Sequence, residues 1–203
     1  MIPMVDPDGV DLVTGKATEE EQQQAQRIAA RFPAIPFPDG WKANLLGVDL
    51  NLQYPAGWLQ AREIKFSQGY TTPGPRDYVG RAPLDQMETR ALADLTEKLD
   101  PDLVLAYHSQ GKEIYWQFRD YAVPGAKELG EVMARVSGYT LADTPYASSF
   151  AGYKDWFIQN FRRPGYTVEV GMGENPLPLS QFPEIYRDNV PLLNIAALGI
   201  KNS

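Results

Sequence analysis

The chain has 203 residues, of which 43% are hydrophobic and 22% charged, with a formal net charge of -7 and no cysteine. That length supports one well-buried domain, and the ordinary globular composition sets aside disordered, coiled-coil and fibrous classes. The acidic excess argues against a nucleic-acid partner, because phosphate binding needs a basic face, and the lack of cysteine rules out disulfides, thiolate metal sites and cysteine nucleophiles. No stretch approaches the roughly 18 apolar residues of a membrane helix, and MIPMVDPDGVD lacks the basic and long apolar regions of a secretion signal. The expectation is a chain without a membrane span or export address.

In chain order, IPMV reads as a short strand closed by the DPDG turn. Thr18 to Phe32 reads as a polar surface helix, N-capped by Thr18 with Glu21 three residues on. Three prolines make Phe32 to Gly40 a loop. GVDLNLQYPAGW fits a short strand followed by a loop, and Gln68 to Pro83 is a long loop of the kind that carries function. Leu84 to Leu99 places Met87, Ala91, Leu92, Leu95 and Leu99 at helical spacing, ended by Asp100-Pro101.

LVLAY then reads as a strand buried on both faces, and EIYWQF as a second strand after the Ser-Gln-Gly turn. Ala126 to Val136 is a helix stopped by Gly138, Asp155 to Phe161 a short helix, and Tyr166 to Val170 a further strand. Phe182 to Leu198 is a terminal helix interrupted near Pro191. Strands alternating with helices predict an α/β domain, a mixed and mostly parallel sheet flanked by helices. There is no internal repeat and no low-complexity tract.

Ligands collect beyond the carboxyl ends of strands in such sheets. Two strands end there on ionisable side chains: LVLAY on His108, the chain's single histidine, and YTVEV on Glu169. An isolated histidine is more often a hydrogen-bonded core or edge residue than a ligand. A carboxylate within an apolar TVEV run is costly to bury alone, so Glu169 either pairs with a cation such as Lys154, Arg162 or Arg163 or belongs to a site. Residue types and spacing leave both alternatives open.

GVDLN at Gly47 to Asn51, YHSQG around His108, AGYKDW at Ala151 to Trp156 and TVEVG around Glu169 occur in this order. Together they resemble the zinc carboxypeptidase family, the carboxypeptidase A-like peptidases. MVDPDGVDLV is similar to that family's NPDG strand, with Asp6 in place of Asn. GYKDWFIQNF and GENPLPLSQF resemble more closely a bacterial branch, the gamma-D-glutamyl-L-diamino acid endopeptidases that cut cell-wall peptides.

The resemblance implies roles residue by residue. His108 matches the third zinc ligand, and Glu169 the general base that activates the zinc-bound water. Tyr146 matches the mobile tyrosine that closes over substrate. Lys42 stands where the family often has an oxyanion-stabilising arginine, offering a point charge in place of a planar fork. Asp49 matches a carboxylate behind a zinc-ligating histidine, and Asn51 a residue that holds the substrate carboxylate. Lys154 falls at the floor of the specificity pocket, where a cation suits an acidic group such as the second carboxylate of diaminopimelate. Their ordinary alternatives are a loop aromatic for Tyr146, solvated charges for Lys42 and Lys154, and turn formers for Asp49 and Asn51.

Two departures qualify the resemblance. The arginine that usually follows Asn51 is here Leu52, which leaves the carboxylate clamp incomplete. The family's HxxE motif, which supplies its first two zinc ligands, lies before the NPDG strand, and a chain with one histidine holds no HxxE. The expectation is therefore a sheet lacking its N-terminal strands, the C-terminal two-thirds of a catalytic domain. Zinc is expected for the complete domain and doubtful for this chain alone, which is read as inactive by itself. The expected partner is a peptide or muropeptide substrate, with association possible through an exposed sheet edge. The alternatives are a non-catalytic family member that binds peptidoglycan fragments or a protein, and a partner chain that completes the ligand set.

Overall fold

A computed structural model describes residues 1–199. The chain divides into two compact units. One consists of Met1–Asp100 with Phe150–Gly152, and the other of Pro101–Ser149 with the chain from Tyr153 onward.

The first unit is helical: α1 (Pro7–Val13), α2 (Glu19–Ala29), a 3-10 turn at Leu50–Leu52, α3 (Trp58–Ser67) and α4 (Met87–Leu99). The sequence suggests a strand at IPMV, but α1 is the first element and Ile2, Met4 and Val5 are exposed. The local reason is chemical. Pro7 opens a helix without sacrificing a needed N–H, and the Asp6 carboxylate caps it by accepting from Gly9 N–H at 3.1 Å. α2 forms with the expected capping box, the Thr18 hydroxyl and Glu21 carboxylate bonding reciprocally. Ala25 and Ala29 of α2 pack with Leu12, Trp41 and Ala43.

GVDLN forms no strand. Asp49 instead caps the 3-10 turn through Asn51 N–H at 3.2 Å, and α3 follows where no element was expected. The long loop after it is fixed by side chains rather than by regular structure. Gln53 is fully buried, donates to the carbonyls of Val79 and Ala82, and accepts from the Asp85 and Gln86 N–H groups. Buried polar groups are tolerated only when bonded in this way.

The second unit carries a four-stranded sheet of β1 (Val104–His108), β2 (Glu113–Tyr115), β3 (Thr140–Ala142) and β4 (Gly165–Glu169), in the order β1-β4-β2-β3. β1 runs parallel to β4 and β2 parallel to β3, while β2 and β4 are antiparallel. This is the mixed, mostly parallel α/β sheet that the sequence predicts. One face packs Ile114, Tyr166 and Val168 against α5 (Ala126–Ser137) and α7 (Phe182–Gly199), through Met133, Ala134, Leu192 and Ala196. On the other face α6 (Tyr153–Phe161) closes on Gly165, where a Cβ would stand 3.3 Å from Ile158 and Phe157.

Two expectations need correction here, and one strand was not expected. β1 is not buried on both faces: Val104 is buried but Tyr107 is 43% exposed, because β1 lies at the edge of this sheet. α7 is continuous through Pro191, since the burial of Asn189, Leu192 and Ala196 outweighs the backbone bond that proline removes. β3, three residues long, carries too little pattern to be seen in sequence.

The cap of α1 yields a test. Burial pushes the Asp6 carboxyl up to about 6, against the Gly9 hydrogen bond that lowers it, with Glu88 and Asp8 raising it further. A carboxyl raised from its unfolded value of 3.8 contributes most below about pH 4, and that contribution is lost as pH rises through about 6. Asp6→Asn keeps the cap and removes the loss. Urea unfolding is expected to show the variant more stable than the parent above about pH 7, with the difference gone near pH 4.

Candidate active site

The sheet register brings three ionisable side chains into one row. His108 pairs with Glu169 across β1 and β4, and Glu169 pairs with Glu113 across β4 and β2. Cross-strand partners stand about 5 Å apart and share a face, so His108, Glu169 and Glu113 line up at the carboxyl ends of β1 and β4. The two turns beyond this row are laced together. Val170 N–H donates to His108 O at 2.8 Å, Gly111 N–H to Gly171 O at 2.9 Å, and Asn175 Nδ2 to Ser109 O at 3.1 Å. Gly171 has φ +71°, and a Cβ there would stand 2.5 Å from Leu177, so only glycine suits this turn. Lys112, next in the first turn, reaches α7 through Glu184 at 2.6 Å and Asp188 at 3.1 Å.

Tyr115, on the same face of β2 as Glu113, donates its hydroxyl to Glu113 Oε2 at 2.6 Å. Burial first, and then the Glu113 bond and the charges of Glu113 and Glu169, push the Tyr115 phenol well above its usual range. Neither Glu113 nor Tyr115 was singled out from sequence. The alternation of polar, apolar and polar in EIY was the available signal, but the register that sets Glu113 beside Glu169 is a long-range pairing.

The cations named as partners for Glu169 make further contacts of their own. Lys154 pairs with Asp155 at 2.5 Å and donates to the Gln117 carbonyl at 2.7 Å. The Arg162 guanidinium lies 3.8 Å from the Tyr121 ring centroid, and Arg163 donates to Pro101 O at 3.0 Å. Lys154 is 4% exposed, which removes the surface-lysine reading. Tyr146, 73% exposed, stands in a 3-10 turn at Tyr146–Ser148.

The other expected residues belong to the first unit. Asp49 is buried, and its two oxygens accept from the N–H groups of Asn51 and Asp77. Asp77 is itself held by Lys65 at 2.6 Å and Arg76 at 2.9 Å. Burial raises the Asp77 carboxyl, but these two cations outweigh it and the net position is below the usual range. Asn51 and Lys42 are both exposed.

Residues 1–192 match the family model described as zinc carboxypeptidase. The chain belongs to the zinc carboxypeptidase family. It is 48% identical over 188 residues to gamma-D-glutamyl-L-diamino acid endopeptidase 1 of Lysinibacillus sphaericus, covering 93% of this chain and 46% of that protein. It is 37% identical to the uncharacterised protein YqgT of Bacillus subtilis, covering 92% of this chain and 48% of that one. The chain thus spans about half the length of these curated relatives. Among solved structures, carboxypeptidase A from Helicoverpa armigera aligns over 99% of this chain and 52% of its own, with TM-score 0.64 and 17% identity. The murein-tripeptide amidase MpaA of Escherichia coli O157 aligns over 79% of this chain and 63% of its own, with TM-score 0.52 and 22% identity. At these identities the structures establish the fold.

The family implies zinc. A catalytic zinc takes three protein ligands in a tight cluster. Among the described residues no three His, Asp or Glu side chains are grouped to hold a metal, and the sequence holds one histidine. The residues present do not by themselves fit a zinc centre. Also among the described residues, no helix is long and apolar enough to cross a membrane.

The Lys154 pair supplies a stability prediction. Removing one partner of a buried ion pair leaves an uncompensated charge and costs about 3–5 kcal/mol. Lys154→Met is expected to lower unfolding stability by that order in urea titrations, whereas Lys42→Met, at an exposed position, is expected to shift it by less than about 0.5 kcal/mol.

Proposed function

We propose that this chain contributes the general base and one metal ligand of a peptidase that hydrolyses gamma-D-glutamyl-diamino acid linkages of bacterial cell-wall peptides. The observation that carries the reading is the pairing of His108 with Glu169 at adjacent strand ends, in a chain 48% identical to an endopeptidase of that name. Glu169 takes the proton of the attacking water and passes it to the leaving amine, so the carboxylate begins and ends the cycle ionised. Lys42 receives the oxyanion charge as a point cation, Asn51 holds a substrate carboxylate, and Tyr146, on an exposed turn, closes over the bound peptide. Asp49, already bonded to the loop at Asp77, supports a metal-ligating side chain.

Lys154 is the specificity residue of this reading. Two of its three N–H donors serve Gln117 and Asp155, and the third is left for the second carboxylate of a diaminopimelate residue. Since the donor set here does not fit zinc, the remaining ligands come from outside these residues, and the chain alone is inactive. The same incomplete donor set favours a second reading, a non-catalytic family member that binds peptidoglycan fragments.

A chimera separates the two. Residues 1–203 are placed in the Lysinibacillus sphaericus relative in exchange for the segment they align with. The chimera is expected to cleave a gamma-D-glutamyl-diaminopimelate peptide, and Glu169→Gln is expected to lower kcat by about 10²- to 10⁴-fold. Lys154→Met is expected to reduce its preference for diaminopimelate over lysine peptides. A folded, metal-loaded chimera that binds the peptide without cleaving it would establish the second reading instead.

A further inference from the structure

Glu113 has no part in the chemistry above, yet it is the direct cross-strand neighbour of Glu169. Two carboxylates facing each other on adjacent strands repel, and they compete for the same donors and cations. Among the described residues no Lys or Arg forms an ion pair with Glu113 that would settle the conflict. The group that holds Glu113 is a phenol. Tyr115 stands two residues along β2 on the same face, opposite Thr167, and its hydroxyl meets Glu113 Oε2 at 2.6 Å, a short bond of the charge-assisted kind.

The position of that phenol is itself well fixed. Ile114, between the two residues, is fully buried in the opposite-face core with Tyr166 and Val168, which prevents β2 from slipping in register. Tyr115 is half-buried, so its ring is braced while its hydroxyl faces the row. The bond restrains Glu113 to its own strand. Glu169, on the central strand β4, is flanked by Glu113 on one side and His108 on the other.

We propose that Tyr115 is a positioning residue: it tethers the Glu113 carboxylate to β2 and so keeps it from competing with Glu169 for the reacting groups. The proposal rests on the reading of Glu169 as general base. It assigns Glu113 and Tyr115 a joint task, in which the hydroxyl matters only because the second carboxylate is there to be restrained.

Two measurements test it. In a crystal structure of the Tyr115→Phe chain, the Glu113 carboxylate is expected to leave its place beside ring 115; if it keeps its position, the tether is disproved, whatever the activity. In the chimera, Tyr115→Phe is expected to lower kcat by on the order of 10- to 100-fold with KM within about twofold. The double variant Tyr115→Phe, Glu113→Gln is expected to recover most of that loss, because no loose carboxylate remains. A purely structural hydroxyl would predict no recovery, and a double variant as slow as the single one overturns the proposal. An inactive parental chimera would sink the peptidase reading, while the crystal structure would still decide the tether.

Discussion

The register of β4 between β1 and β2 is the constraint on which the candidate site depends. A shift by one residue would turn Glu169 into the core and Val168 to the open face, because strand side chains alternate. That slip is opposed by a dense set of apolar contacts: Val168, Tyr166 and Ile114 are all fully buried against α5 and α7. The hydrophobic face therefore dictates the position of the polar one. His108, Glu169 and Glu113 stand in a row because their neighbours in sequence have nowhere else to go.

The turns beyond the strands extend the same logic by hydrogen bonding. Gly111, Ser109 and Asn175 lace the loop after His108 to the loop after Glu169, and Lys112 ties the first of them to α7. None of these groups is chemically reactive in the proposed hydrolysis. They fix the separation of two side chains that come from strands far apart in the chain. Solved structures only 17% and 22% identical share the architecture.

The first unit uses a different device. Where the second unit is built on a sheet, this one orders a long loop with buried polar side chains, Gln53 reaching Val79, Ala82, Asp85 and Gln86. Asn51, which resembles a substrate-binding position, sits in the 3-10 turn just before Gln53, and Asp49, which resembles a carboxylate behind a metal ligand, caps that turn. Local capping chemistry overrides the strand-like appearance of GVDLN there, as it does at IPMV, where Asp6 and Pro7 start a helix. In both places a short polar side chain satisfies backbone N–H groups that a strand would have needed a partner to satisfy.

The sequence by itself determined the family, through motifs in order along the chain, and singled out His108 and Glu169 as candidates for its site. It determined the capped helix α2 and the periodic helices α4 and α5, because capping and amphipathic spacing act over a few residues. It also determined that one histidine cannot supply a histidine-rich metal centre. Tertiary structure alone decided the rest. The pairing of Glu113 with Glu169, the burial of Lys154 against Asp155, the short strand β3 and the survival of α7 through Pro191 all depend on contacts between residues far apart in the chain. Pairing partners and burial are properties of the assembled sheet and its covering helices, and no local pattern encodes them.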